Sequence, residues 1–300
     1  MPRVDSPRRP AQTGHFYPGD LAPQVEEFVT GWSIPADVPR VLLGGVVPHA
    51  GWAYSGRVAA RTLHTLIVRM RPETIVFLAS VHVPGVRQAS VYPRGAWETP
   101  VGAVEIDDEL ATRLLAAAGD HLIAAPDAHD GDHAIEVQLP LLRLLAPGCR
   151  IVPIAAPVHC DGAQLGAEIG GCLRESPRVL VVASTDLTHY GSRYRYAPAG
   201  KGSAARQWLR KNDTRMVQKV VDLDAAGVAA EAQEQRNSCG PAGLAAAIAA
   251  ARARGANQGY VVEYTDSHQE LSAQRGGDVD DDEFEMAVGY LGAVLGHETQ

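Results

Sequence analysis

Residues 40–49, RVLLGGVVPH, and residues 73–81, ETIVFLASV, decide the fold. Both are near-continuous apolar runs bounded by breakers, and neither alternates, which is how strands covered on both faces read. The segment 57–70 between them is helical, so the three together predict a βαβ unit. Working outward, Asp20 is placed to cap a helix whose apolar positions include Leu21, Val25, Phe28 and Val29. Downstream, SVYP (90–93) and GAVEI (102–106) are strand pieces. Helices are predicted over 108–117 and over 133–145, the second having to tolerate Pro140. Then follow the strand RIVPIAAPV (150–158), a helix over 166–174, and the strand RVLVVASTDL (178–187). The last third holds helices over 204–221 and 241–254 and the strands GYVVEYTD (259–266) and EMAVGYLGAVL (285–295). With only loop expected between them, that final pair predicts antiparallel pairing. The pattern implies an α/β fold: one three-layer domain over 13–300, with a central, mostly parallel or mixed sheet and helices on both faces. Residues 1–12, rich in Pro and Arg, are expected to form a loose arm.

Composition narrows the function. The chain has 300 residues, 46% hydrophobic, enough to bury a large core, and carries a formal net charge of −8. A chain so acidic, with no long basic run, is not built to grip nucleic acid. No stretch approaches the roughly 20 apolar residues of a membrane span, and the N-terminus lacks a signal-peptide pattern, so a soluble cytoplasmic protein is expected. Cys149, Cys160, Cys172 and Cys239 lack CxxC spacing, which points away from a disulfide framework or zinc ribbon. The run GGDVDDDEFE (276–285) lacks calcium-loop spacing and reads as a solvated acidic loop.

The chemistry-bearing residues lie at element ends. His49, His82 and the pair Asp186/His189 each follow a predicted strand, where sites of open α/β sheets form. Singly, each histidine could equally satisfy a backbone carbonyl. Trp52 and Tyr54, set among Gly51 and Gly56, can wall a site beside His49 or serve as core aromatics. Asp186 is near enough in sequence to fix the tautomer of His189, or it can cap a turn. His133 and Glu136 share a face at a helix start, where they can join a polar network or bind metal, or Glu136 can cap the helix. Cys239 alone among the cysteines opens a helix after a polar approach, where free amides favour the thiolate; free cysteines are otherwise more often inert packing residues.

The motifs GHFYPGD, VPHAGWAYSG, FLASVHVPG, AWETPVGAVEID, DHAIEVQLPLL, STDLTHYG, NSCGP and a closing VGY occur in this order nearly end to end. In them the chain resembles the Memo-like family, prokaryotic relatives of a eukaryotic mediator of cell motility, also called AmmeMemoRadiSam system protein B. That family is similar in fold to the class III extradiol ring-cleaving dioxygenases. The resemblance implies that His49, His82 and Cys239 hold iron or copper, with Cys239 standing where the dioxygenases have a glutamate. It implies that His189 is the acid/base histidine with Asp186 beside it, that Phe16, Trp52, Tyr54 and Tyr190 line the substrate pocket, and that His133 and Glu136 support the ligands. The chain departs from the family in ASVHVPG around His82, in the longer acidic end, and at Phe16, often tryptophan in relatives. The expectation is a mononuclear non-haem enzyme, Fe(II) first and copper second, using dioxygen on a small phenolic or chelating substrate. Its rivals are a copper- or iron-binding redox or adaptor protein without turnover and, third, a zinc hydrolase. Substrate identity and self-association are left open.

Overall fold

The computed structural model describes residues 7–11, 14–18, 20–276 and 280–298. Its strands are β1 (Val41–Val47), β2 (Thr74–Ala79), β3 (Ser90–Val91), β4 (Ala96–Trp97), β5 (Val104–Glu105), β6 (Ile123–Ala124), β7 (Arg150–Ala155), β8 (Val179–Ser184), β9 (His189–Tyr190), β10 (Gln258–Asp266) and β11 (Ala287–His297). Its helices are α1 (Ala22–Val29), α2 (Arg57–Met70), α3 (Asp108–Ala118), α4 (Leu139–Leu145), α5 (Gly162–Cys172), α6 (Ser203–Val221), α7 (Ala225–Gln235), α8 (Pro241–Ala253) and α9 (Ser267–Gln274). One mixed nine-stranded sheet runs β10-β11-β1-β8-β2-β7-β3-β6, with β9 paired to β11, while β4 and β5 form a separate ribbon. The central four strands are parallel, and β11 returns antiparallel against both β1 and β10.

The apolar runs are explained by burial on two sides. Along β2, Ile75, Phe77 and Ala79 enter one core with α1, α2 and α4, whereas Val76 and Leu78 enter the other with α3, α5, α7 and α8. With both faces covered, no position along the strand is left for a polar residue to repeat at. The α/β class, the helices on both faces and the antiparallel final pair agree with the sequence reading.

Several local expectations are corrected. β1 and β2 flank β8 and do not pair, so the first crossover skips a strand. Leu21, not Asp20, holds the N-cap position of α1, without a side-chain cap, and proline occupies the first turn. The helix expected over 133–145 begins at Leu139, after a short turn Glu136–Gln138, so Pro140 sits in the first turn where its missing N–H costs nothing. The connection from β10 to β11 contains α9, and α7 is an additional helix. The arm is docked at its inner end: Arg8 is buried and its amide bonds to the Ala96 carbonyl at 2.9 Å. Residues 1–6 and 12 of that arm lie outside the described residues, as do 277–279 of the acidic run. Further along that run, Asp281 is ion-paired with the buried Arg206. Among the described residues no helix is long and apolar enough to cross a membrane.

Candidate metal centre

His49 lies two residues beyond β1, at the carboxyl end of the parallel strands. Its amide donates to Asp186 Oδ1 at 2.8 Å, and its Nδ1 lies 3.3 Å from Ser184 Oγ. The Ser184 hydroxyl donates to the Ala134 carbonyl at 2.6 Å, so its oxygen is left to accept from His49 Nδ1–H. Nε2 is thereby turned inward, 3.2 Å from Cys239 Sγ. His82, three residues beyond β2, is fixed in parallel fashion: its amide donates to Asp132 Oδ2 at 2.6 Å and its Nδ1 lies 3.4 Å from Asp132 Oδ1. A carboxylate or hydroxyl behind Nδ1, with Nε2 turned to the centre, is the arrangement that orients metal-binding imidazoles. The third imidazole, His133, lies on the loop before the turn Glu136–Gln138, stacked on Phe16 at 4.2 Å between centroids. Ring nitrogens of His49, His82 and His133 lie within 4.8 Å of one another.

Cys239 is held by the same neighbourhood. The Asp186 amide donates to its Sγ at 3.2 Å, and Ser80 Oγ and Thr185 Oγ1 lie at 3.7 and 3.6 Å. Burial alone would push this thiol up; the His49 charge and hydrogen bonds from His49 and His82 overcome it and hold Cys239 well below the usual thiol range. Conversely, burial opposes charging of His49, but Cys239 and Asp186 lift it to about 9. His82 rises to about 10 against its burial, through its hydrogen bonds to Asp132 and Cys239. Burial and these two neighbouring charges push His133 down to about 3. Cys149, buried, and Cys160, half-buried, lack such neighbours, and desolvation pushes them up to about 12 and about 11. Thus a thiolate is held by protons on two imidazoles, in the place where a cation would satisfy all three groups at once. Imidazole nitrogen and thiolate sulfur are the donors that suit iron, copper and zinc, so the residues fit a transition metal.

The profile of the "Memo-like protein" family matches residues 8–280. The chain belongs to the Memo-like family. A MEMO1 family protein of Thermococcus onnurineus is 36% identical, covering 87% of this chain and 93% of its own. Another, from Methanopyrus kandleri, is 34% identical over 96% of this chain and 98% of its own. Among solved structures, an uncharacterized protein of Escherichia coli K12 aligns with a TM-score of 0.44 and 13% identity, covering 82% of this chain and 99% of its own.

In this Memo-like chain the sequence candidates separate. His49, His82 and Cys239 come together, and His133, expected to support the ligands, stands among them. Glu136 does not share its face: it pairs with Arg8 at 2.8 Å and accepts from Tyr17 Oη at 3.0 Å. Asp186 does not bond the His189 ring but holds the His49 amide; His189 Nδ1 instead donates to the Leu187 carbonyl at 3.2 Å, leaving Nε2 available. Trp52 and Tyr190 belong to the core. Trp52 Nε1 donates to the Val137 carbonyl, and Tyr190, fully buried, packs on Phe284 and Trp208 with its hydroxyl on the Gly200 carbonyl. Tyr54 is exposed, Phe16 covers His133, and Tyr194 stands edge-on to His189 at 5.0 Å. Asp132, Ser184, Tyr194 and Arg8 were missed. Asp132 carried a signal in the Gly-Asp-His run; the others carried none, since serine, tyrosine and arginine at these positions read as ordinary strand-end, loop and arm residues.

Proposed function

We propose that the chain is a mononuclear non-haem metal-dependent oxidoreductase, with Fe(II) at His49, His82 and Cys239, that uses dioxygen on a small phenolic or chelating substrate. The observation that carries this reading is the convergence of inward-turned imidazole nitrogens on a thiolate, beside a histidine with a free Nε2. When bound, the ion would supply a Lewis-acidic, redox-active centre able to hold dioxygen and a chelating substrate together. The chain's own part is positional and protic. Asp132 and Ser184 keep the ligand rings from turning, and Phe16 braces His133. His189 Nε2, its tautomer fixed by the Leu187 carbonyl, can take a proton from a substrate hydroxyl and return it. Tyr194 and Tyr54 offer ring faces and hydroxyls to an aromatic substrate. Buried Asp186, pushed up by burial and drawn down by the His49 charge, ties the His49 backbone to the β8 loop.

Oxygen uptake by the anaerobically iron-loaded chain, offered catechols and other hydroxylated aromatics, tests the reading. A His189→Ala variant should keep its iron and lose turnover by about 100-fold or more, the usual worth of a positioned acid/base group. Undiminished turnover would remove His189 from proton transfer. A second reading, a copper- or iron-binding redox or adaptor protein without turnover, draws on the Cys239 thiolate, a soft donor that welcomes copper. Tight copper binding with no oxygen uptake on any substrate offered would favour it.

A further inference from the structure

We propose that the N-terminal segment is a strap that positions the metal cluster, with Arg8 as its positioning residue; the inference rests on the metal reading above and deepens it. Arg8 is only 7% exposed although it precedes the first helix and belongs to no secondary element except an isolated bridge to Trp97. Its guanidinium, stacked over the Trp97 ring at 4.1 Å, spends its donors on one loop. Nε and Nη2 donate to the His129 carbonyl at 3.1 and 2.9 Å, Nη2 also to the Asp132 carbonyl at 2.9 Å, and Nη1 to Glu136 Oε2 at 2.8 Å. That loop bears Asp132, whose carboxylate fixes His82, and His133 itself.

The rest of the segment closes on the same target. The Ala11 amide and the Tyr17 hydroxyl take the two carboxylate oxygens of Glu136 at 3.0 Å each. Phe16 stacks on His133 with the rings inclined by 29°, and its carbonyl accepts from the Trp52 amide at 2.7 Å, next to the His49 loop. Arg8 therefore reaches His82 and His133 at one remove, through backbone carbonyls and Glu136. A planar, five-donor fork meets this set of acceptors; a lysine keeps the charge and loses the fork. Removing Arg8 would take from Glu136 its ion pair and from the His129 and Asp132 carbonyls their side-chain donors, so the loop would have to shift.

The test compares the parent with Arg8→Met, Arg8→Lys and Tyr17→Phe. In the metal-free chain, carbethoxylation of His133 by diethyl pyrocarbonate, read by peptide mass, should be several-fold faster in Arg8→Met and Tyr17→Phe. Cobalt(II) titration, followed by the cobalt–thiolate absorption, should show affinity reduced 10- to 100-fold in Arg8→Met, the usual cost of losing an outer partner, with Arg8→Lys between it and the parent. His133 reactivity and cobalt affinity equal to the parent in all variants would overturn the strap. A parent that takes up no cobalt, with His133 still unmasked in the variants, would sink the metal reading and keep the strap. Should Arg8→Met fail to fold, Tyr17→Phe and Arg8→Lys, which leave the ion pair in place or partly so, decide by the same two readouts.

Discussion

Side chains a few residues apart in sequence divide between different tasks here. Asp186 and His189 stand in one short loop, yet the first serves the His49 backbone and the second is oriented by its own loop's carbonyl. His133 and Glu136 divide likewise, one joining the imidazole cluster and the other anchoring Arg8. His49, His82 and Cys239 were legible because each ends or opens an element whose pattern is plain. The pairings that support them were not: Asp132 lies 50 residues from His82, and Glu136 lies 128 from Arg8, separations that no local pattern encodes. His129 shows what such burial does to titration. Its Nε2 donates to the Ser90 carbonyl at 3.0 Å, and burial, aided by the Arg8 charge, pushes it from 6.5 down to about 4. Between those values the unfolded chain binds the proton and the folded chain does not, so stability rises with pH. The contribution is complete above pH 6.5 and is lost as pH falls toward 4, about 3 kcal/mol in all. Urea unfolding at pH 7 and pH 4.5 should show the parent losing about 2 kcal/mol more than His129→Gln. Equal losses would refute this account of His129.

Most of the expected elements begin and end within a few residues of the sequence reading, and α5 shows how glycine obscures a boundary. α5 begins at Gly162, four residues before the start expected, with Asp161 capping the Gln164 amide at 3.0 Å. Gly162, Gly166 and Gly170 weaken the helical signal, since glycine is a poor helix former, and packing explains their presence. A methyl group on Gly166 would come within 2.1 Å of the Ala246 carbonyl oxygen, and one on Gly162 or Gly170 would meet the Ala242 or Ala250 carbonyl oxygen at 2.1 or 2.6 Å. The three glycines thus form a flat face on which α8 rests, and α8 is the helix whose approach carries Cys239. Gly166→Ala should cost about 1–3 kcal/mol through overpacking and weaken metal uptake by shifting that approach. Gly171→Ala, on the same helix with open space around it, should be neutral or stabilise by up to about 1 kcal/mol. Comparison of their denaturation midpoints and metal affinities checks both; equal behaviour of the two would contradict the close-packing argument.

For the whole molecule, the class of fold was legible and the strand order was not. Apolar runs report that a strand is covered on both faces, but not which strand lies beside it, because neighbours are chosen by contacts over the full chain. The order found has a direct consequence for the site. With β8 between them, β1 and β2 stand about 10 Å apart, two inter-strand spacings. Their histidines lean over the end of β8 until the His49 and His82 rings are 5.0 Å apart, and the β8 loop supplies Thr185 and Asp186 beneath Cys239. A site built by three strands, the start of α8 and an N-terminal strap should assemble only in the folded chain. The most direct measurement is anaerobic loading with Fe(II) followed by nitric oxide, read by electron spin resonance. The account predicts one iron per chain with an iron–nitrosyl signal that His49→Ala and His82→Ala abolish and Cys239→Ala alters; iron uptake and signal unchanged in all three variants would contradict it.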